Sequence, residues 1–119
     1  MLLPVLFMTI FFACTVEEVD PSADIPTQSF QTEILPIISA NCALSGCHGA
    51  NDREFPLLNY DDVMNYCEVQ PGKPHDSKLY EVIRLLSGEE AMPPKPNQPL
   101  TDKQIGAIYV WILQGAKNN

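Results

Sequence analysis

An all-α fold of three to four short helices is what this chain predicts, on three observations. Apolar residues recur at helical spacing in separate stretches. The strongest of these stretches opens on a complete capping signal. No stretch shows the alternation expected of a half-buried strand.

The first helix is expected over Phe30 to Asn41, where Phe30, Ile34, Ile37 and Ile38 fall on one face. Pro36 has no N–H to donate, so regular helix should begin near Thr32 or Glu33 and keep Pro36 in its first turn. Asn59 to Cys67 predicts a short helix, with Asn59 as N-cap and Asp61 and Asp62 in the first turn. Ser77 to Leu86 predicts another, with Leu79, Val82, Ile83 and Leu86 as its apolar stripe and Gly88 ending it. The last helix follows Thr101-Asp102-Lys103-Gln104, a capping box in which hydroxyl and amide serve each other's backbone N–H. Leu100 and Ile105 are spaced for a hydrophobic staple across it. Ile105, Ile108, Tyr109, Ile112 and Leu113 form its apolar face, Trp111 stands at the margin, and Gly115 ends it.

Composition bounds the function. The 119 residues suit one small domain, and 45% hydrophobic with 18% charged content is that of a folded chain. Seven basic against fifteen acidic residues give a net charge of -8, which excludes nucleic acid as a partner on electrostatic grounds. Three segments are expected: a signal peptide over 1–13, an acidic linker over 14–28 and a folded domain over 29–119. A folded part of roughly ninety residues buries a limited core and often needs a disulfide, metal or cofactor as a staple.

Met1 to Ala13 is apolar apart from Pro4 and Thr9. It is shorter than the roughly 20 residues that span a bilayer and has the length of a signal-peptide core. Its end, Phe11-Phe12-Ala13-Cys14, resembles the lipobox of bacterial lipoproteins, with Phe11 where leucine is usual. That resemblance implies a lipid-bearing Cys14 and attachment to a membrane. The bland alternative is a plain secretory signal or an uncleaved anchor. Glu17, Glu18, Asp20 and Asp24, with Pro21 and Pro26, then mark a solvated, extended tether. The acids close behind Cys14 also resemble surface-export signals of some Bacteroidota lipoproteins.

The chemistry concentrates in Cys42-Ala43-Leu44-Ser45-Gly46-Cys47-His48. Two thiols followed at once by an imidazole suit covalent haem attachment, each thiol adding across a vinyl group and the histidine reaching the iron. The usual spacing is C-x-x-C-H, and here four residues separate the cysteines. Two cysteines and a histidine are equally three zinc ligands. A second iron ligand is available in Met92-Pro93-Pro94. Pro93 biases Met92 toward an extended conformation, and the two prolines stiffen the loop that carries its thioether. Met92 sits among acids and prolines rather than on a helical stripe, where a packing methionine would belong.

In the order of these parts the chain resembles class I c-type cytochromes, specifically small cytochrome c domains of Bacteroidota and planctomycete type. The resemblance spans Phe30 to Ala116. It is carried by Ile34-Leu35-Pro36-Ile37-Ile38 before Cys42, the Cys47-His48 pair, Ser77-Lys78-Leu79-Tyr80, the Met92-Pro93-Pro94 loop, and Trp111-Ile112 with Gly115-Ala116. It implies short helices wrapped around one covalent haem c. Cys42 and Cys47 would be the thioether anchors, His48 the proximal ligand and Met92 the distal ligand. It implies a crossing of the first and last helices near Ile34, Ile38, Ile108 and Ile112. The implied function is single-electron transfer outside the cytoplasm, on the periplasmic or cell-surface side of a membrane, with redox proteins as partners and no enzymatic activity of its own. His/Met ligation leaves no open iron position, and the soft thioether raises the reduction potential.

Other residues have plainer readings. His75, in Pro74-His75-Asp76, is expected to be a solvated loop histidine rather than a distal ligand. Cys67 is the leftover thiol, expected as a small buried apolar residue. Glu89 and Glu90 are expected as solvated loop charges. Two other functions compete with the cytochrome: an exported zinc module using Cys42, Cys47, His48 and Cys67, and a partner-binding lipoprotein with Cys42 and Cys47 bridged.

Overall fold

The computed structural model describes residues 25–52 and 54–119. The apolar run over 1–13, Cys14 and the acidic stretch as far as Asp24 lie outside the described residues. The described residues are all-α, with no strand among them. In chain order come a π-helical turn Phe30–Ile34, α1 Leu35–Asn41, α2 Tyr60–Tyr66, a 3₁₀ turn Pro74–Asp76, α3 Lys78–Ile83 and α4 Asp102–Leu113. None of these helices is long and apolar enough to cross a membrane.

Proline chemistry sets the first element. Helical backbone begins at Phe30, capped by Ser29, whose side chain accepts from the Thr32 N–H at 3.2 Å. Glu33 returns the bond by accepting from the Ser29 N–H at 2.7 Å. The regular α-helix starts at Leu35, later than the expected Thr32 or Glu33. The turn before it is widened, with the Ile34 N–H reaching the Ser29 carbonyl at 3.1 Å. A proline ring crowds the carbonyl four residues back, and a wider turn relieves that clash. Pro36 itself stays in the first turn of α1.

The core forms where this segment meets α4. Phe30, Ile34, Ile38, Ile108 and Ile112 are all fully buried, in one cluster with Val63 of α2 and Leu79 and Ile83 of α3. Trp111 is 1% exposed and lies inside this cluster, not at its margin as the helical wheel suggests. Its ring packs on Phe30 at 5.4 Å and Tyr60 at 6.4 Å. The indole N–H donates to the Lys117 carbonyl at 2.9 Å, so burying it leaves no polar group unpaired. Tyr60 closes the same corner by donating its hydroxyl to the Ala116 carbonyl at 2.7 Å.

Both chain segments at this corner are tied together. The Gln31 N–H donates to the main-chain oxygen of Asn119, and the Phe30 N–H to its side-chain oxygen, each at 2.9 Å. Ile25 to Gln28, read from sequence as the end of the linker, lie hydrogen-bonded along Gln114 through its side-chain amide.

α2 and α4 begin where their caps predict. Asn59 accepts from the Asp62 N–H at 3.0 Å. Thr101 and Gln104 form the reciprocal capping box. α3 departs from expectation: it ends at Ile83, with Arg84 as C-cap, rather than at Leu86. Leu86, expected on the buried stripe, is 81% exposed. The reason is a competing donor. The Met92 N–H donates to the Val82 carbonyl at 3.0 Å, the acceptor that Leu86 would use in a longer helix.

Candidate functional site

The segment after α1 folds into a tight loop. Cys42 is the C-cap of α1, its N–H donating to the Ile38 carbonyl at 2.8 Å. The Cys47 N–H turns back to the Leu44 carbonyl at 3.0 Å, and the His48 N–H to the Cys42 carbonyl at 3.1 Å. The His48 carbonyl accepts from the Leu57 N–H at 3.0 Å, which pins the loop to the next segment. Asp52 lies across the same loop. One carboxylate oxygen accepts from the Gly46 N–H at 2.8 Å and the other from the Gly49 N–H at 3.0 Å.

The His48 ring is oriented by a main-chain carbonyl. Nδ1 lies 2.9 Å from the Phe55 carbonyl oxygen. A carbonyl only accepts, so Nδ1 carries the proton and Nε2 keeps its lone pair for a ligand. The acceptor is the carbonyl of Phe55, one residue before Pro56. The imidazole also stacks on the Phe55 ring at 4.5 Å, and Phe55 stacks on Tyr66 at 5.0 Å.

Met92 comes from the other side. Its main chain is fixed to α3 by the bond to Val82, and Ala91 beside it is buried. Glu90 anchors the same loop at the surface, accepting from the Lys78 ammonium at 3.1 Å. Glu81 receives the same ammonium at 3.4 Å. The Glu90 hydrogen bond, aided by Glu81, holds the Lys78 pKa above its ordinary range.

These parts line one cleft of about 560 Å³. Cys42, Cys47, His48 and Met92 all border it, as does Cys67. Leu57, Leu79, Val82 and Ile83 supply apolar wall, while Glu54, Glu68, Glu89, Glu90 and Lys78 bring charge to it. The volume is within the range of small-molecule and cofactor sites. The donor set fits a haem: two thiols for its vinyl groups, one imidazole nitrogen with a free lone pair, and one thioether.

The thiols are unbridged. Burial first, and then the nearby Cys47, pushes the Cys42 thiol up to about 11. Burial, and then Cys42, pushes Cys67 up to about 12. Both are neutral at pH 7. Among the described residues no three His, Cys, Asp or Glu side chains converge as a metal-holding group. The four residues of the zinc alternative border the cleft instead of closing on a point. The disulfide alternative requires a Cys42–Cys47 bridge that the described structure does not contain.

His75 does not border the cleft. It packs edge-on against Tyr80 at 5.4 Å and Tyr109 at 5.7 Å. The sequence reading gave no role to Asp52, and none to Lys78 beyond its place in Ser77-Lys78-Leu79-Tyr80. A signal for Asp52 was present in Gly46, Gly49 and Asp52 at three-residue intervals, since an aspartate near loop glycines commonly accepts local N–H groups. Nothing in the sequence marks Lys78 as the anchor of a loop twelve residues on. No protein-family model matches the chain, and no curated protein or solved structure shows significant similarity to it.

Proposed function

We propose that this chain is a monohaem c-type cytochrome with a class I cytochrome c-like fold. In this reading it carries single electrons outside the cytoplasm and exchanges them with redox proteins. The observation that carries the reading is the meeting, in one largely apolar cleft, of Cys42, Cys47 and His48 with Met92 from a separate loop.

Haem c would supply a one-electron iron couple in a fixed ligand field. The residues of the chain do the rest. Cys42 and Cys47 would hold the group covalently, and His48 and Met92 would supply the ligands to its iron. The Phe55 carbonyl fixes the tautomer of His48 and raises the donor strength of Nε2. Met92, held by the Val82 bond and the proline pair, offers a soft sulfur that favours the reduced metal. Leu57, Leu79, Val82 and Ile83 keep water from one side of the cleft, which also favours the less charged, reduced state. Filling the cleft would complete a core that is small for the chain. In this reading export and lipid attachment at Cys14 would put the domain on the periplasmic or cell-surface side of a bacterial membrane, with the acidic stretch 14–24 as the tether.

Met92→Ala tests the ligand set. The variant should have a lower reduction potential and an iron that binds added imidazole or cyanide. An unchanged potential and an unchanged visible spectrum would remove Met92 from the site.

A further inference from the structure

Three side chains must be delivered to one group in the attachment loop, and they are held unequally. Cys42 is anchored by the end of α1. His48 is anchored by its own N–H, its carbonyl and its ring, through Cys42, Leu57 and Phe55 respectively. The main-chain N–H of Cys47 makes only a turn bond within the loop, to Leu44. Besides its covalent neighbour His48, Cys47 is restrained from both sides at once by the Asp52 carboxylate on Gly46 and Gly49.

We propose that Asp52 is the positioning residue for the Cys47 thioether, and that its carboxylate makes the four-residue spacer workable. The inference rests on the haem reading above. A spacer two residues longer than the usual one leaves more backbone to fix. A carboxylate fixes it well because it is acceptor-only and can serve two N–H groups at once. The loop is cut to fit it. Gly46 adopts φ +84°, which favours glycine. A Cβ on Gly49 would stand 2.5 Å from the Asp52 carboxylate oxygen. Asparagine could keep one of the two bonds but would turn an N–H₂ toward the other amide.

In the attachment step the Cys47 sulfur bonds to one vinyl carbon, and the thiol hydrogen ends on the neighbouring vinyl carbon. The step consumes no oxidant or reductant. Asp52 acts on it only by holding the sulfur in place.

The test uses the full chain, expressed in a host with c-type maturation genes, with Asp52→Asn, Gly49→Ala and Asp52→Glu. Asp76→Asn, at an exposed residue of the 3₁₀ turn, is the control. Alkylation of the denatured holoprotein followed by fragment masses reads which cysteine remains free. The haemochrome band independently reads an unreacted vinyl group as a shift to longer wavelength. The proposal expects Asp52→Asn and Gly49→Ala to raise the fraction attached through Cys42 alone by about tenfold, the effect of losing one charge-assisted bond. Asp52→Glu, which keeps both acceptor oxygens, should stay nearer wild type, and Asp76→Asn should match it. Wild-type attachment at both cysteines in Asp52→Asn would overturn the proposal. So would an equal loss at Cys42 and Cys47, which is a folding defect and not a positioning one. Haem absent from the wild-type chain would overturn the cytochrome reading together with this one, whereas haem present in every variant at full double attachment would overturn this one alone.

Discussion

Cys67 is a thiol that the proposed haem chemistry leaves unused, and its environment makes it a test of the fold. It lies buried in the core while bordering the cleft, with its pKa pushed up to about 12, first by burial and then by Cys42. In the unfolded chain the thiol keeps the ordinary value of 9.0. The unfolded state therefore loses its proton first, and stability falls as pH rises from about 9 toward about 12. By roughly pH 10.5 the loss from this one group should be about 2 kcal/mol. Cys67→Ala removes it. The stability gap between wild type and Cys67→Ala, measured by denaturant unfolding, should thus narrow between pH 8 and pH 10.5. A gap that stays constant with pH would mean that Cys67 is hydrated in the folded chain. The residue type alone predicts a small buried side chain at this position. It does not reveal that Cys67 shares a cleft with Cys42, because that depends on how α2 and α3 pack against the loop after α1.

At the scale of elements, local chemistry was legible and long-range competition was not. The starts of α2 and α4 were readable because Asn59 and Thr101 act on N–H groups within three residues of themselves. The Thr101–Gln104 box serves two otherwise unpaired donors, so Thr101→Ala should cost about 1 kcal/mol. Unfolding by urea checks this, with the same slope and a lower midpoint expected. A midpoint unchanged from wild type would show that the box adds nothing beyond solvent. The end of α3 could not be read in the same way. Its stop depends on the Met92 amide, nine residues beyond the helix, taking the Val82 carbonyl. The same bond fixes the loop that presents the Met92 sulfur, so the shortening of α3 and the placement of Met92 are one event. Trp111 shows the matching limit on a helical wheel. A wheel ranks faces by angle, while Trp111 is central because Phe30 and Tyr60 approach it from other segments.

For the whole molecule, the helices assemble a cleft between a loop that follows α1 and a loop that follows α3. The contact of the π turn with α4 holds the frame through Phe30, Ile34, Ile108 and Ile112, in one core cluster with the cleft-lining Leu57, Leu79 and Ile83. Cys42, Cys47 and His48 stood out in the sequence because thiols and an imidazole stand close together, and Met92 because two prolines follow it. Their shared cleft did not, since Met92 reaches it only through the fold. The Phe55 carbonyl and the Lys78–Glu90 pair, which shape the cleft, carry no motif of their own, and Asp52 shows only in its spacing from Gly46 and Gly49. The acid on the cleft rim adds to the acid predicted for the tether, so a redox partner would meet negative charge at both. The central claim is that a haem is bonded through Cys42 and Cys47. A haem stain on a denaturing gel tests it most directly, using the full chain expressed in a host with c-type maturation genes. The account predicts a stained band that survives denaturation and reduction, at the position of the intact chain. A colourless band from intact, exported protein would contradict it.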